Sequence, residues 1–436
     1  MLGRHRDLVW RAIVFTVALV EVPLFLLRNR ALFRNDILYP FWHWSFGHTV
    51  SGIDYASRLY WPHRISLLYV PHPDSNPLLP RLFGQNVDTF TYRSVLGFRS
   101  VNIDAPRIAV LRFYVYLVAA LVPRLQVAER RSVYKTISLV GDRRLEAGDP
   151  DTNTLVQAFD YTGYVRLLHD RVGRDAALPP DLRDQARAAV EAAYPGFLSK
   201  PFVALTFRRK GRGLELHTSI RDAGPPENYL PAVRWLAENG FHVVLWGDDS
   251  RVFEDVPGVF TLEHAELPRE LLNLFVFAEA ALFVGQQSGA PVLANACGVP
   301  CLLTDAMPYR YGTFRNEDLL LFKRMRERAT GRVLSLVEVF RDHRDLAQGY
   351  NFEAKGIEIV ANSPEEILEA VQEAAALVRG KLELSQEDER LADLFRLLPD
   401  ESMHIAYHGN RPPLAELRRL RAELESQRGE EAVAGL

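Results

Sequence analysis

"ALFVGQQSGAPVLANACGVPCLLTD", residues 281 to 305, decides the fold. An apolar run, ALFVG, ends on a glycine, and a small polar corner, QQSG, follows. A stretch of small residues, APVLANACG, then leads into a second apolar run, PCLLTD. Strand, corner, short helix and strand in such close order describe a βαβ crossover. Continuous rather than alternating apolar strands imply a parallel sheet covered on both faces.

The same alternation extends outward. Upstream lie a strand, PFVALTF (201 to 207), a helix, PENYLPAVRWLAENG (226 to 240), strands FHVVLWG (241 to 247) and VFTLEH (259 to 264), and a helix, PRELLNLFVFAEA (268 to 280). Downstream, IEIVAN (357 to 362) reads as the next strand of that sheet. It is followed by a helix that Ser363 caps, Pro364 opens, Glu366 closes into a capping box and Gly380 ends. This half is a doubly wound α/β domain. The first half is less regular, but DILYPFWHW (36 to 44), RISLLYV (64 to 70), VDTFTY (87 to 92) and KTISLVG (135 to 141) predict a second α/β sheet. A helix, DLRDQARAAVEAAY (181 to 194), connects the two, and the charged tail from Pro412 is expected to fray or stay disordered.

Composition sets the bounds. A chain of 436 residues is long enough for two domains, and 48% hydrophobic with 25% charged residues is ordinary for a globular protein. A net charge of -3 with both signs interspersed offers no broad basic surface for nucleic acid, while leaving room for a phosphate-bearing small molecule. The two cysteines, Cys297 and Cys301, are too few for a zinc site or a disulfide framework and read as small core residues.

The N-terminus is separate. An apolar run from Leu8 to Leu27 has arginines before it (Arg4, Arg6) and after it (Arg28, Arg30, Arg34). Arg11, Glu21 and Pro23 lie inside, and a charge at the centre of a spanning helix costs roughly 2.5 to 3.5 kcal/mol. A helix lying in the membrane interface fits that pattern better. A second apolar run, residues 108 to 122, is short for a span and reads as a buried core helix.

In the QQSG corner, a helix N-terminus offers unpaired N–H groups and a positive partial charge, so phosphate is a favoured ligand. Ser288 adds a hydroxyl, Gly289 permits close backbone approach, and Gln287 lies beside them. At the end of the strand 201 to 207 the chain reads RRKGRGLELHTSIRDAGPPENY. Arg208 and Arg221 are the preferred partners for phosphate oxygens. Gly247 and Asp248, closing FHVVLWG, would border a nucleotide base. No metal site suggests itself, and no cofactor is expected.

The run RDAGPPENYLPAVRWLAENGFHVVLWGD, the corner GQQSGAPVLANACGVPCLLTD and IEIVANSPEEILEAV together resemble the nucleotide-sugar domain of GT-B glycosyltransferases, in particular a family of bacterial surface-carbohydrate glycosyltransferases. The likeness covers roughly residues 200 to 375, with a weaker match at FGHTVSGID (46 to 54). Heptosyltransferases, similar in architecture, carry a glycine followed by an aspartate base in the first acceptor-domain loop. This chain has Gly47 followed by His48, a departure from that pattern. Histidine's pKa suits a base near neutral pH. Asp54 and Asp88 are the other candidate bases.

The resemblance implies an α/β chain with two Rossmann-like doubly wound domains facing a central cleft. Residues 1–34 form a membrane-associating segment, 35–190 an acceptor-binding domain, 191–385 a nucleotide-sugar-binding domain, and 386–436 a helical tail that can cross back to the first domain. The implied activity is metal-independent transfer of a sugar from a nucleotide-sugar donor to a surface-glycan or lipid-linked acceptor. It would take place in the cytoplasm at the inner face of the cell membrane. An epimerase or pyruvyl transferase of similar fold, and a non-catalytic glycan- or membrane-binding protein, are the rival readings.

Overall fold

The computed structural model describes residues 2–41, 46–69, 76–92, 101–122, 124–127, 164, 167–168, 170–208, 222–247, 250–307, 315, 317–342, 352, 354–397 and 410–434. The chain divides into two compact units, Met1–Pro179 and Pro180–Leu436.

In the first unit, strands β1 (Ile37–Phe41), β2 (Ile65–Tyr69), β3 (Val87–Thr91) and β4 (Gln126–Val127) pair in parallel in the order β3-β2-β1-β4. Leu38 of β1 and Leu68 of β2 share a core with helices α1 (Leu2–Arg28) and α3 (Val101–Leu121). The strand residues of opposite parity, Tyr39, Leu67 and Tyr69, are buried too, as a sheet covered on both faces requires. Helix α2 (Phe46–Leu59) follows β1 and contacts it.

In the second unit, β5 (Phe202–Thr206), β6 (His242–Trp246), β7 (Val259–Phe260), β8 (Leu282–Gly285), β9 (Cys301–Ala306) and β10 (Leu319–Phe322) form a parallel sheet in the order β10-β9-β8-β5-β6-β7. The chain winds outward from β5 to β7, returns to β5's other side at β8, and winds away to β10. That order places a topological switch between β5 and β8. The helices are α4 (Pro180–Ala193), α5 (Leu230–Glu238), α6 (Arg269–Ala278), α7 (Gly289–Ala296), α8 (Leu336–Asp342), α9 (Pro364–Val378), α10 (Gln386–Leu397) and α11 (Leu414–Ala434). Helices α5 and α9 cover one face, joining Val233, Leu236, Ile367 and Val371 to Val203, Val243 and Leu302 of the strands. On α6, Phe275 stacks on Phe202 and Phe277 packs against Phe283.

The start of α9 is built as its sequence dictates. Ser363 Oγ accepts the Glu366 N–H at 3.2 Å, and the Glu366 carboxylate accepts the Ser363 N–H at 3.0 Å.

Several expectations need correction. The segment IEIVAN does not extend the parallel sheet. Its residues Ile357–Val360 (β12) pair antiparallel with β11 (Arg324–Glu327) in a separate ribbon. The sixth parallel strand is β10, a fully buried apolar run not foreseen in the sequence. The helix expected to link the domains, α4, belongs to the second unit, where Arg183 pairs with Glu279 at the end of α6, so the division falls at Pro179 rather than after residue 190. The tail is a docked helix. Leu417 and Leu420 of α11 are buried, and Glu416 forms an ion pair with Arg324. Helix α3 is not wholly buried, with Phe113, Leu117 and Leu121 exposed along one stripe. The expected strand 135 to 141 lies outside the described residues.

Candidate functional site

The site forms at the C-terminal ends of β5 and β8, where a doubly wound sheet opens a crevice. Strand β8 closes on Gly285 because nothing larger fits. A Cβ there would overlap Thr206 Oγ1 on the adjacent strand and lie 2.9 Å from the Phe283 ring. Thr206 Oγ1 is itself buried without a hydrogen-bond partner, an unmet polar atom beside the switch.

The next two residues are clamps. Gln286 is fully buried. Its Oε1 accepts the Arg208 N–H at 2.7 Å, and its Nε2 donates to Tyr229 Oη at 2.9 Å and Thr304 Oγ1 at 3.2 Å. Gln287 is turned inward as well, although its place in the sequence suggested a ligand contact. Its amide donates to Met307 O at 3.1 Å and accepts the Met307 N–H at 3.0 Å. The loop is thereby tied to β5 on one side and to the end of β9 on the other.

Beyond the clamps the chain is offered outward. Ser288 is extended, half-buried, and makes no capping bond with its side chain. Helix α7 begins at Gly289, so the N–H groups of Gly289 and Ala290 have no partner within the helix, and Pro291 has none to offer. Hydroxyl, amides and helix dipole together favour an anion.

Two cations, one past the end of β5 and one past the end of β10, meet at Asp222. Arg208, just past β5, is fixed through its backbone to Gln286 and Ala223, and its guanidinium pairs with the Asp222 carboxylate. Lys323 immediately follows β10 and donates to the Asp222 carbonyl at 2.7 Å. Burial pushes the Lys323 pKa below the ordinary lysine value, and Arg208 adds to that while Asp305 and Asp222 oppose it. Lys323 escaped the sequence reading. The signal was the one that marked Arg208, a cation directly after a buried apolar run.

Asp305, at the end of β9, braces the surrounding loops. Its carboxylate accepts from Gly224 N at 2.8 Å, Tyr229 Oη at 2.8 Å and Asn362 N at 2.9 Å, and Asn362 Oδ1 accepts the Asp305 N–H at 2.5 Å. Gly247, after β6, adopts φ +141°, and a Cβ there would lie 3.2 Å from Phe207 O. Only glycine suits that approach. Arg221 and Asp248 lie outside the described residues.

In the first unit, His48 stands in the first turn of α2, directly downstream of β1; its side chain is outside the description. The order β3-β2-β1-β4 puts the end of β1 at that sheet's own switch. Asp54, further along α2, is fully buried. Its Oδ2 accepts from Arg58 Nε at 3.0 Å and Tyr164 Oη at 2.7 Å, while Oδ1 has no partner. Burial raises its pKa against the pull of Arg58. Arg58 is tied in turn to Val172 O at 3.1 Å and Asp175 at 2.9 Å. Asp88, on β3, is held below the usual carboxylate range, first by its bond from Arg64 and also by that from Asn35 at 2.9 Å. One carboxylate is locked in the core and the other is paired in its ionised form.

No protein-family model and no curated protein matches the sequence. Structural neighbours of the chain are glycosyltransferases of the GT-B type. A glycosyl transferase family 9 protein from Veillonella parvula is 11% identical, with 80% of this chain and 98% of that one covered, at a TM-score of 0.43. The ADP-heptose LPS heptosyltransferase II of E. coli is 13% identical over 79% and 99%, at 0.41. The UDP-GlcNAc 2-epimerase of Neisseria meningitidis, solved with UDP-GlcNAc, is 12% identical over 79% and 99%, at 0.31. Superpositions this loose transfer no residue and no activity to this chain.

Proposed function

We propose that this chain is a glycosyltransferase that draws its sugar from a nucleotide-sugar bound at the β5/β8 switch. The observations that carry the reading are the uncapped helix start and Ser288 hydroxyl just past β8, with Arg208 just past β5 tied through its backbone to Gln286; Lys323, past β10, joins Arg208 at Asp222. A diphosphate needs such a set, both to bind and to leave with its charge stabilised. These groups take the electrostatic role that a divalent ion fills in other transferases.

The first unit takes the acceptor. An acceptor hydroxyl attacks the anomeric carbon, the bond from that carbon to the diphosphate breaks, and the hydroxyl proton passes to a base. His48 suits that role, since Asp54 is committed to Arg58 and Tyr164 and Asp88 to Arg64. The acceptor is a glycan, carried on a lipid or at a surface.

The test is nucleoside diphosphate release from a panel of nucleotide-sugars, with and without lipid-linked glycan acceptors. Release should depend on the acceptor, and His48→Ala should lower turnover by about 10²–10⁴-fold with donor affinity unchanged. Consumption of the donor with no acceptor present would point to an epimerase instead.

A further inference from the structure

Helices α1 and α3 lie side by side on the first unit, joined by a bond from Tyr114 Oη to Leu19 O at 3.1 Å. Each turns one stripe to the same core, Val22 and Leu26 from α1, Val110 and Val115 from α3. Their opposite stripes are exposed and still apolar. On α1, Val9, Val20 and Leu27 are 58%, 63% and 59% exposed; on α3, Phe113, Leu117 and Leu121 are 60%, 44% and 73% exposed. Scattered surface leucines need no explanation, but two adjacent helices both apolar on their outer faces do.

The charges around this face choose its occupant. Leu27 and Leu121, at the C-terminal ends of the two helices, are flanked by exposed Arg28, Arg30, Arg34 and Arg124. The two ends meet where Arg124 donates to Phe33 O at 2.7 Å. Among the described residues of 9–36 and 109–125 the only acids are Glu21, bonded by Tyr92, and Asp36. An apolar face with a basic rim matches the boundary between acyl chains and anionic headgroups.

The segment Val9–Arg28 is long and apolar enough to cross a membrane, at a mean hydropathy of 1.9. Its inner stripe nevertheless belongs to the core that holds Leu38 and Leu68 of the sheet, so inserting α1 as a span would strip the unit of that core. We propose that α1 and α3 together form one surface that lies in the plane of an anionic bilayer, with α3 contributing as a lipid-facing helix. This does not depend on the donor site, because donor binding can be read in the absence of vesicles.

Vesicle flotation of the full-length protein tests it, with vesicles of phosphatidylcholine alone or mixed with phosphatidylglycerol. The protein should float with the anionic vesicles, less with the neutral ones, and less at high salt. Phe113→Asp and Leu121→Asp, both on α3, should each weaken binding at least about tenfold, the equivalent of one large apolar side chain lost from the interface, with thermal unfolding unchanged. Failure to float would overturn the proposal. So would loss of binding with Val20→Asp on α1 but with neither α3 variant, or conversion of a dimer to a monomer by the α3 variants without an effect on vesicles, which would make the face a contact between two copies.

Discussion

Gln286 Oε1 accepts the backbone N–H of Arg208 at 2.7 Å, joining β8 to β5 where the second sheet reverses its winding. One buried amide thus sets the position of the cation and of the corner that leads to Ser288. Gln286→Leu leaves the Arg208 N–H without its acceptor and removes a donor from Tyr229 and Thr304. Urea unfolding should show a loss of about 1–3 kcal/mol, and nucleotide affinity should fall with it. Unchanged stability would mean that the clamp has no role.

Lys323 gives the site a pH signature. Its pKa is lowered by burial, so its contribution to stability is complete above the ordinary lysine value and is lost as pH falls through the folded value. A bound diphosphate favours the charged form. Nucleoside diphosphate affinity measured by calorimetry should therefore weaken as pH rises through the lowered Lys323 pKa, below the ordinary lysine value. Lys323→Met should bind more weakly and show no such dependence.

The ion pair of Asp54 and Arg58 is fully buried, so removing one partner strands the other. Arg58→Met should cost about 3–5 kcal/mol at neutral pH. The Asp54 pKa is already raised, so the stability this group contributes is present in acid and is lost as pH rises through its folded value. The loss in Arg58→Met should accordingly shrink in mild acid, as denaturant titrations at two pH values will show. An equal loss at both would place Asp54 outside the network.

Much of the second unit was legible because its signals are local. The runs PFVALTF, FHVVLWG, ALFVG and PCLLTD are short, apolar and bounded by glycine, proline or charge, and Ser363 with Glu366 marks a helix start by spacing alone. What escaped depends on long-range pairing. The residues of β12 look like a strand in either kind of sheet, and only its partner, β11, makes it antiparallel. The run that forms β10 is four residues long, too short for its apolar pattern to tell strand from helix. Gln287 sits in a polar corner and reads as a ligand contact, yet it and Gln286 are turned inward, to partners Met307, Tyr229 and Thr304 that are distant or on the next strand. Lys323 and Arg208 are far apart in sequence, and the fold brings both to Asp222. The apolar face of α3 could not be told from a core stripe, since composition does not record which side a neighbour covers.

The central claim is that the Ser288 corner holds a diphosphate. A thermal-shift measurement with nucleoside diphosphates and nucleotide-sugars tests it most directly, on the wild-type chain and on Ser288→Trp. Ser288 makes no capping bond and is half-buried, so the indole should block the helix start without unfolding the unit. A donor at 100 times its dissociation constant should stabilise the wild type by about 2.7 kcal/mol, and Ser288→Trp should show no shift. An undiminished shift in Ser288→Trp would contradict the assignment.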